Sequence, residues 1–409
     1  MFIKTYKYFN QNTRQALFDH VEGYVNSSKS LSKEINSLNE KYNVQNIYRF
    51  DIGENVDGFS GYIKDYLKDI SENKKYGLFN HYPDITNRTL REKIARKHRI
   101  KRENIVVSNG LESILDLISR VFLDYNDSYI MPVPDFFLFE RYSERMGARP
   151  IFLSLNEEDN FEWTEKVLHN FTDLVTRFKP KIVWLSNPCN PTGKIINEEI
   201  LKHIIEITNK NNVFLVIDEA YGECINSSNF SASKYIKEYS NIMVLGTFSK
   251  AYGLAGIRLG YVISSSDDII KALLLHRQYF PVSQSALDMA ALAIDDTEFI
   301  KSSNLVTEHR KRVLFNQIRQ LESFKLIPSY SNVFILKNIC LSDIKLNSIL
   351  KKYGIISSLV NLADNNAFGY NRFTIRRQEE NNYLFKVLSD IDKEIMQISG
   401  RQSVDFIMN

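Results

Sequence analysis

Between Asn104 and Ser265, seven short apolar runs alternate with longer stretches of helical periodicity: NIVVSN, SYIMPVP, RPIFLSL, KIVWLSNP, VFLVIDEA, IMVLGTFS and GYVISS. Val, Ile and Leu fill these runs almost without interruption. That is the pattern of strands buried on both faces, in a mostly parallel sheet with helices outside. The reading predicts an α/β fold built on a seven-stranded, mostly parallel sheet flanked by helices. Several runs end in a polar residue or a Gly/Pro signal. Ligands of such sheets bind beyond the carboxyl ends of the strands. Asn109, Pro134, Asn187, Asp218 and Ser249 are therefore expected on one rim.

The 409 residues suffice for a large and a smaller domain, each with its own core. After about residue 300 the chain turns helical and basic (TEHRKRVLFNQIRQL), then offers short strands in NVFILKN, GIISSLV and RFTIRR before a last amphipathic helix. We expect a large domain over 61–298, a small α+β domain over 299–409, and an N-terminal segment, 1–60, that completes the small one. That segment is polar, with helical patterning in LFDHVEGYVN and LSKEINSLNEKY. A net charge of +3 argues against nucleic acid or a membrane surface as partner. No apolar run approaches a membrane span, and the opening MFIKTYKYFNQNTRQ lacks a signal-peptide core. Cys189, Cys224 and Cys340 make neither a disulfide framework nor a metal knuckle, so a reducing cytoplasm is the expected compartment. The seven histidines show no ligand spacing, and no metal is expected; His81 reads as scaffolding. The run REKIARKHRIKRE is interrupted by acid and reads as an exposed helix face.

Chemistry concentrates in TFSKAYGLAGIRLGY, where Lys250 stands among small and apolar residues. A plain alternative is a lysine whose stem packs on the core while its amine reaches water. The functional reading is an amine with a lowered pKa, ready to form a Schiff base. Such a lysine needs an electron sink, and the best known is pyridoxal 5'-phosphate (PLP), whose ring nitrogen requires a carboxylate partner. Asp218 closes an apolar strand in VFLVIDEAY, where a buried carboxylate is costly without a cation. Its alternative is a helix cap. Tyr221, three residues on, is placed to meet the phenolic oxygen of the cofactor, while Glu219 reads as structural. NIVVSNGLESILDLI is a strand, a Gly turn and a helix, so the amides of Gly110, Leu111 and Glu112 offer an anion site. Ser249 and Arg258 add a hydroxyl and a guanidinium. Asn190 in SNPCNPTG can donate to the ring oxygen, and Phe136 in PDFFLF can stack on the ring.

These segments resemble the signature of the class I/II, fold-type I PLP enzymes, and within them the histidinol-phosphate aminotransferase branch. HYPDITNRTLREKIARKH with NIVVSNGLESILDL is similar to that branch too. The likeness is strong over 80–265 and weaker to about 390. It implies that Lys250 holds PLP and moves the proton at the substrate α-carbon, and that Asp218 pairs the ring nitrogen. Tyr221 and Asn190 would bind the ring oxygen, Phe136 would stack on the ring, and Gly110, Leu111, Ser249 and Arg258 would hold the phosphate. It also implies that Tyr82 reaches the phosphate site of a second subunit, giving a homodimer with shared active sites. Arg372 would grip a substrate carboxylate, and residues 1–60 would include an arm over the substrate.

Three departures from the family pattern matter. The covering segment reads DIGENVDG, keeping Glu54 and Asn55 but not the proline. Leu111 stands where relatives place a small polar residue. The pattern R-x-T-x-G reads RFTIR, with Arg376 for glycine and Arg377 next to it. If RFTIR is all strand, Arg372 and Arg376 face one way, which suggests a second anion on the substrate, such as a phosphate. If the strand ends at Ile375, the later arginines are solvated. A carboxylate held in the ring plane exposes the Cα–H bond and leads to transamination, whereas an upright carboxylate leads to decarboxylation. The expected activity is an aminotransferase for a small phosphorylated amino acid or amine. The alternative is a decarboxylase of a phospho-amino acid such as phosphoserine or phosphothreonine. A regulatory protein that kept the fold would need a DNA-binding module that residues 1–80 do not offer.

Overall fold

The computed structural model describes residues 13–14, 31–225, 227, 230–360 and 369–407. It divides into two compact units, one comprising residues 57–190 and 194–304 and the other including 31–56, 191–193 and 305 onward. Strands are numbered along the chain, beginning with the two-residue β1 (Tyr48–Arg49) of the smaller unit.

The larger unit holds β2 (Ile105–Ser108), β3 (Ser128–Val133), β4 (Arg149–Ser154), β5 (Ile182–Ser186), β6 (Phe214–Asp218), β7 (Ile242–Thr247) and β8 (Gly260–Ile263). All seven expected runs are strands of one sheet, in the order β2-β8-β7-β6-β5-β3-β4. Only β8 runs antiparallel to its neighbours. Strands β2, β5 and β7 are buried throughout and β6 in all but its first residue, because helices cover both faces of the sheet. Trp184 of β5 anchors one side, stacked on Phe139 at 5.3 Å with its indole N–H donating to Ser143 Oγ at 3.1 Å. Register then builds the rim. Ser186 pairs with Asp218 and Asp218 with Leu245. Gly260 lies level with both Ser108 and Thr247. The ends of β2, β5, β6 and β7 therefore finish along one edge, followed at once by Asn109, Asn187 and Ser249.

The smaller unit carries β9 (Phe324–Leu326), β10 (Val333–Asn338), β12 (Ser358–Leu359) and β13 (Asn371–Thr374) as an antiparallel sheet in the order β12-β13-β10-β9. A parallel pair joins β1 to β11 (Ile355–Ile356). Phe334 stacks on Phe373 at 5.5 Å in a core that also holds Phe50, Phe315 and Leu384. The helix expected in LSKEINSLNEKY is present as Leu31–Tyr42. The expected helix in LFDHVEGYVN lies outside the described residues.

One option for RFTIR is corrected. β13 stops at Thr374, and Ile375 still donates its amide to Asn332 O. The amide of Arg376 turns instead to Asn381 Oδ1 at 3.0 Å, ahead of the helix Gln378–Ile407. Arg376 therefore does not share a strand face with Arg372.

Candidate active site

The rim of the larger unit gathers the residues expected to hold a cofactor. Asp218 is 2% exposed at the end of β6, and one carboxylate oxygen accepts the amide of Ala220 at 2.8 Å. Burial pushes its pKa up to about 6, while the Ala220 amide and the nearby Lys250 ammonium pull it down. A carboxyl in that condition has too little solvation to ionise freely and gains from a second cation. Lys250 follows β7, half-buried, with Nζ 5.3 Å from the centre of the Tyr221 ring. Tyr221 is 2% exposed.

Arg258 and Gly110 explain each other. Gly110 has φ +76°, and a Cβ there would lie 2.8 Å from Arg258 Nη2. The absent side chain lets the guanidinium lie against the start of the helix Gly110–Phe122. Asn109, the residue before that helix, makes no side-chain cap. The helices from Gly61, Glu165, Glu198, Asp267 and Gln284 are all capped by a Ser, Thr or Asn side chain. First-turn amides with a guanidinium beside them make an anion cradle. Ser249 sits nearby in sequence, its amide bound to Thr247 Oγ1 at 3.1 Å. Leu111 contributes backbone only, its side chain lying in the hydrophobic core. The Glu112 carboxylate accepts Tyr142 O–H at 2.8 Å, which ties down its side chain.

A residue that sequence reasoning passed over organises the other wall. Asp135 accepts the Phe136 amide at 2.7 Å, the Ser186 amide at 3.1 Å and the Ser186 hydroxyl. The Ser186 oxygen in turn accepts the Asn190 amide at 3.0 Å. One carboxyl thus fixes the ends of β3 and β5 and with them Phe136 and Asn190. Phe136 packs edge-on against Phe139 at 5.6 Å. Burial pushes the Asp135 carboxyl up to about 8, its hydrogen bonds pull it down, and the charge of Asp218 adds to the rise.

Tyr82 is 84% exposed and stacks on Phe280 at 4.7 Å. His81 is exposed beside it.

The residues expected at the substrate lie on the smaller unit. Arg372 Nη2 donates to the Asp51 carbonyl and, at 3.3 Å, to Ser358 Oγ. Glu54, Asn55 and Arg376 line one cavity of about 430 Å³ with Arg377 and Glu380. The Arg376 guanidinium is bound to Glu380 at 3.1 Å, and Arg377 Nη2 donates to Val56 O at 3.1 Å. Arg376 is thus half-buried and paired with Glu380 at the wall of that cavity.

Three buried acids imply a testable pH response. Asp135, Asp218 and Glu219 have folded pKa values near 8, 6 and 7, all raised by burial. A raised carboxyl binds more protons folded than unfolded, so its stabilising effect is lost as pH rises through the folded pKa. His98 is pushed by burial from 6.5 down to about 4, which opposes that slope only below 6.5. The cofactor-free protein should therefore lose thermal stability between pH 6.5 and 8, and Asp135→Asn should flatten the loss. A melting temperature that rises across that window would refute the burial account.

The fold and this site define a fold-type I pyridoxal-phosphate enzyme. The residues fit the group: an acid short of a cation, an amine beside it, and an anion cradle at a helix start. The chain belongs to the family Aminotransferase class I and II, whose model matches residues 46–388. It is 30% identical over 362 residues to the histidinol-phosphate aminotransferase of Caldanaerobacter subterraneus subsp. tengcongensis, covering 88% of this chain and 98% of that one. It is 32% identical over 354 residues to that of Thermoanaerobacter sp. strain X514, covering 86% and 96%. The structure of the Sinorhizobium meliloti histidinol-phosphate aminotransferase in complex with pyridoxal-5'-phosphate superposes with a TM-score of 0.76 at 21% identity, over 91% of this chain and 97% of that one. The protein is a PLP-dependent aminotransferase.

Proposed function

We propose that this aminotransferase acts on a small phosphorylated amine or amino acid, in the manner of a histidinol-phosphate aminotransferase, and works as a cytoplasmic homodimer. What carries the substrate class is the similarity to enzymes of that name over nearly their whole length, at about 30% identity.

When bound, PLP supplies a conjugated ring that takes up the electrons left at the substrate α-carbon. Lys250 provides the amine that anchors the cofactor aldehyde. The same amine would serve as the base that takes the substrate α-proton and returns it. Asp218 would keep a proton on the ring nitrogen. Asn190 and Tyr221 would donate to the ring oxygen, and Phe136 would cover a ring face. Gly110, Leu111 and Glu112 offer amides to the phosphate, with Ser249 and Arg258 completing its shell. Arg372, held by Asp51 and Ser358, grips the substrate anion. Glu54 and Asn55 belong to the covering segment. We keep 1–60, 61–298 and 299–409 as working bounds for arm, large domain and small domain.

Decarboxylation leaned on a second guanidinium beside Arg372, and Arg376 is taken up by Glu380 instead. Incubation with histidinol phosphate, phosphoserine or phosphothreonine, each with 2-oxoglutarate, tests the choice. Glutamate should form in step with loss of the substrate amine. Carbon dioxide released without glutamate would reject transamination.

What supports the dimer is a set of large apolar side chains left exposed on the larger unit, Tyr76, Phe79, Tyr82, Leu275 and Tyr279. A contiguous exposed apolar patch marks an interaction surface. Sedimentation velocity should show a dimer, and Phe79→Asp with Leu275→Asp should give an inactive monomer. A fully active wild-type monomer would defeat shared sites and the role given to Tyr82.

A further inference from the structure

A second polar cavity, of about 490 Å³, lies in the larger unit and shares no residue with those assigned to the cofactor. Its walls come from the end of the helix Arg88–His98, the segment after β6, and strands β7 and β8. That volume falls in the range of small-molecule sites.

The cavity is lined by acids and cations. Inside is Glu219, 7% exposed, with its carboxylate accepting the Ala232 amide at 2.6 Å. The Ser231 side chain also bonds it, while the charges of Glu223 and Asp218 acting on it are both acidic. Beside it the wall is neutral. His98 bonds Ser233 Oγ at 2.8 Å through Nδ1 and Tyr261 O–H at 3.1 Å through Nε2. Gly246 permits this, because Tyr261 is its partner on the paired strand and the phenol occupies the space a side chain would take. Four cations also line the cavity. Two are engaged, Lys97 with Glu223 and Lys234 with Glu198, each at 2.6 Å. Arg99 and Lys237 are exposed and make no ion pair among the described residues.

One buried acid without a cation and two cations without an acid are the complement of a particular ligand. An ammonium would relieve Glu219, and a phosphomonoester dianion would balance Arg99 and Lys237. We propose that this cavity binds a small phosphorylated amine, with its ammonium on Glu219 and its phosphate on Arg99 and Lys237. Asp218 is the next residue before Glu219, and Thr247 in the cavity wall stands three before Lys250. A ligand here would bind one residue from Asp218 along the chain, so binding is expected to influence the neighbouring site.

Calorimetric titration of 2-aminoethyl phosphate into the holoenzyme tests it, after borohydride reduction has consumed the cofactor aldehyde so that the active site cannot capture the amine. One site per chain is expected. Its affinity should fall about tenfold or more in Glu219→Gln and in the double variant Arg99→Ala/Lys237→Ala. It should be unchanged in Arg372→Ala, and ethyl phosphate, which lacks the amine, should bind about tenfold more weakly. The Arg99 and Lys237 changes are at exposed positions, so they decide the matter if Glu219→Gln fails to fold. Three results would overturn the proposal: no binding in the millimolar range, equal binding of ethyl phosphate, or binding that Arg372→Ala removes and the double variant keeps. These readouts do not depend on the substrate assigned to the active site.

Discussion

Replacing Lys250 with alanine should lower turnover by about 10⁴-fold or more while leaving the fold intact. On the proposed reading the side chain has two duties: to anchor the cofactor covalently, and to carry a proton to and from the α-carbon. No neighbour can take over either duty. Tyr221 lies beside it, but a phenol cannot form the imine that anchors the cofactor aldehyde. Lys250 is half-buried and follows the end of β7, so its loss removes little packing. The variant should melt close to the wild type in the cofactor-free state. An exogenous small amine should restore part of the lost rate, because the missing group is a base and not a scaffold. Activity within tenfold of wild type would remove Lys250 from the chemistry.

Asp218→Asn should lower kcat by about 10²–10³-fold and weaken cofactor binding. Asparagine keeps the shape and can still accept the Ala220 amide. It cannot hold a proton on the ring nitrogen, and an unprotonated ring is a poorer electron sink. The same change removes a buried acid whose pKa burial has raised to about 6. The cofactor-free variant should therefore be at least as stable as the wild type above that pH, by the sign of the linkage. Loss of catalysis with a gain in apoprotein stability is the pairing to look for. A variant with normal kcat, or one destabilised without cofactor at pH 8, would show that Asp218 serves the core.

Much of this molecule was readable from its residues, for a physical reason. Strands buried on both faces must be continuously apolar, so β2 to β8 announce themselves, and the residue ending each run marks the rim. Gly110 and Arg258 could be named separately, but only their contact shows why position 110 carries no side chain. Asp135 could not be read. It lies between prolines and phenylalanines in PVPDFFLF, where an acid looks like a turn residue, and its partner Ser186 is 51 residues away. Only the pairing of β3 with β5 brings the two together. Where β13 ends is decided locally. Periodicity alone extends the strand through RFTIR, while the Glu four positions on draws the guanidinium along the next helix. Glu219 reads as a structural neighbour of Asp218 until the cavity beside it is seen.

Reductive trapping tests the central claim most directly. The purified holoenzyme is treated with borohydride and digested, and its peptides are weighed. The account predicts one pyridoxyl-phosphate mass, on the peptide that carries Lys250, and its absence from the Lys250→Ala protein. The same mass on a different lysine, or no adduct on a holoenzyme that turns over, would contradict it.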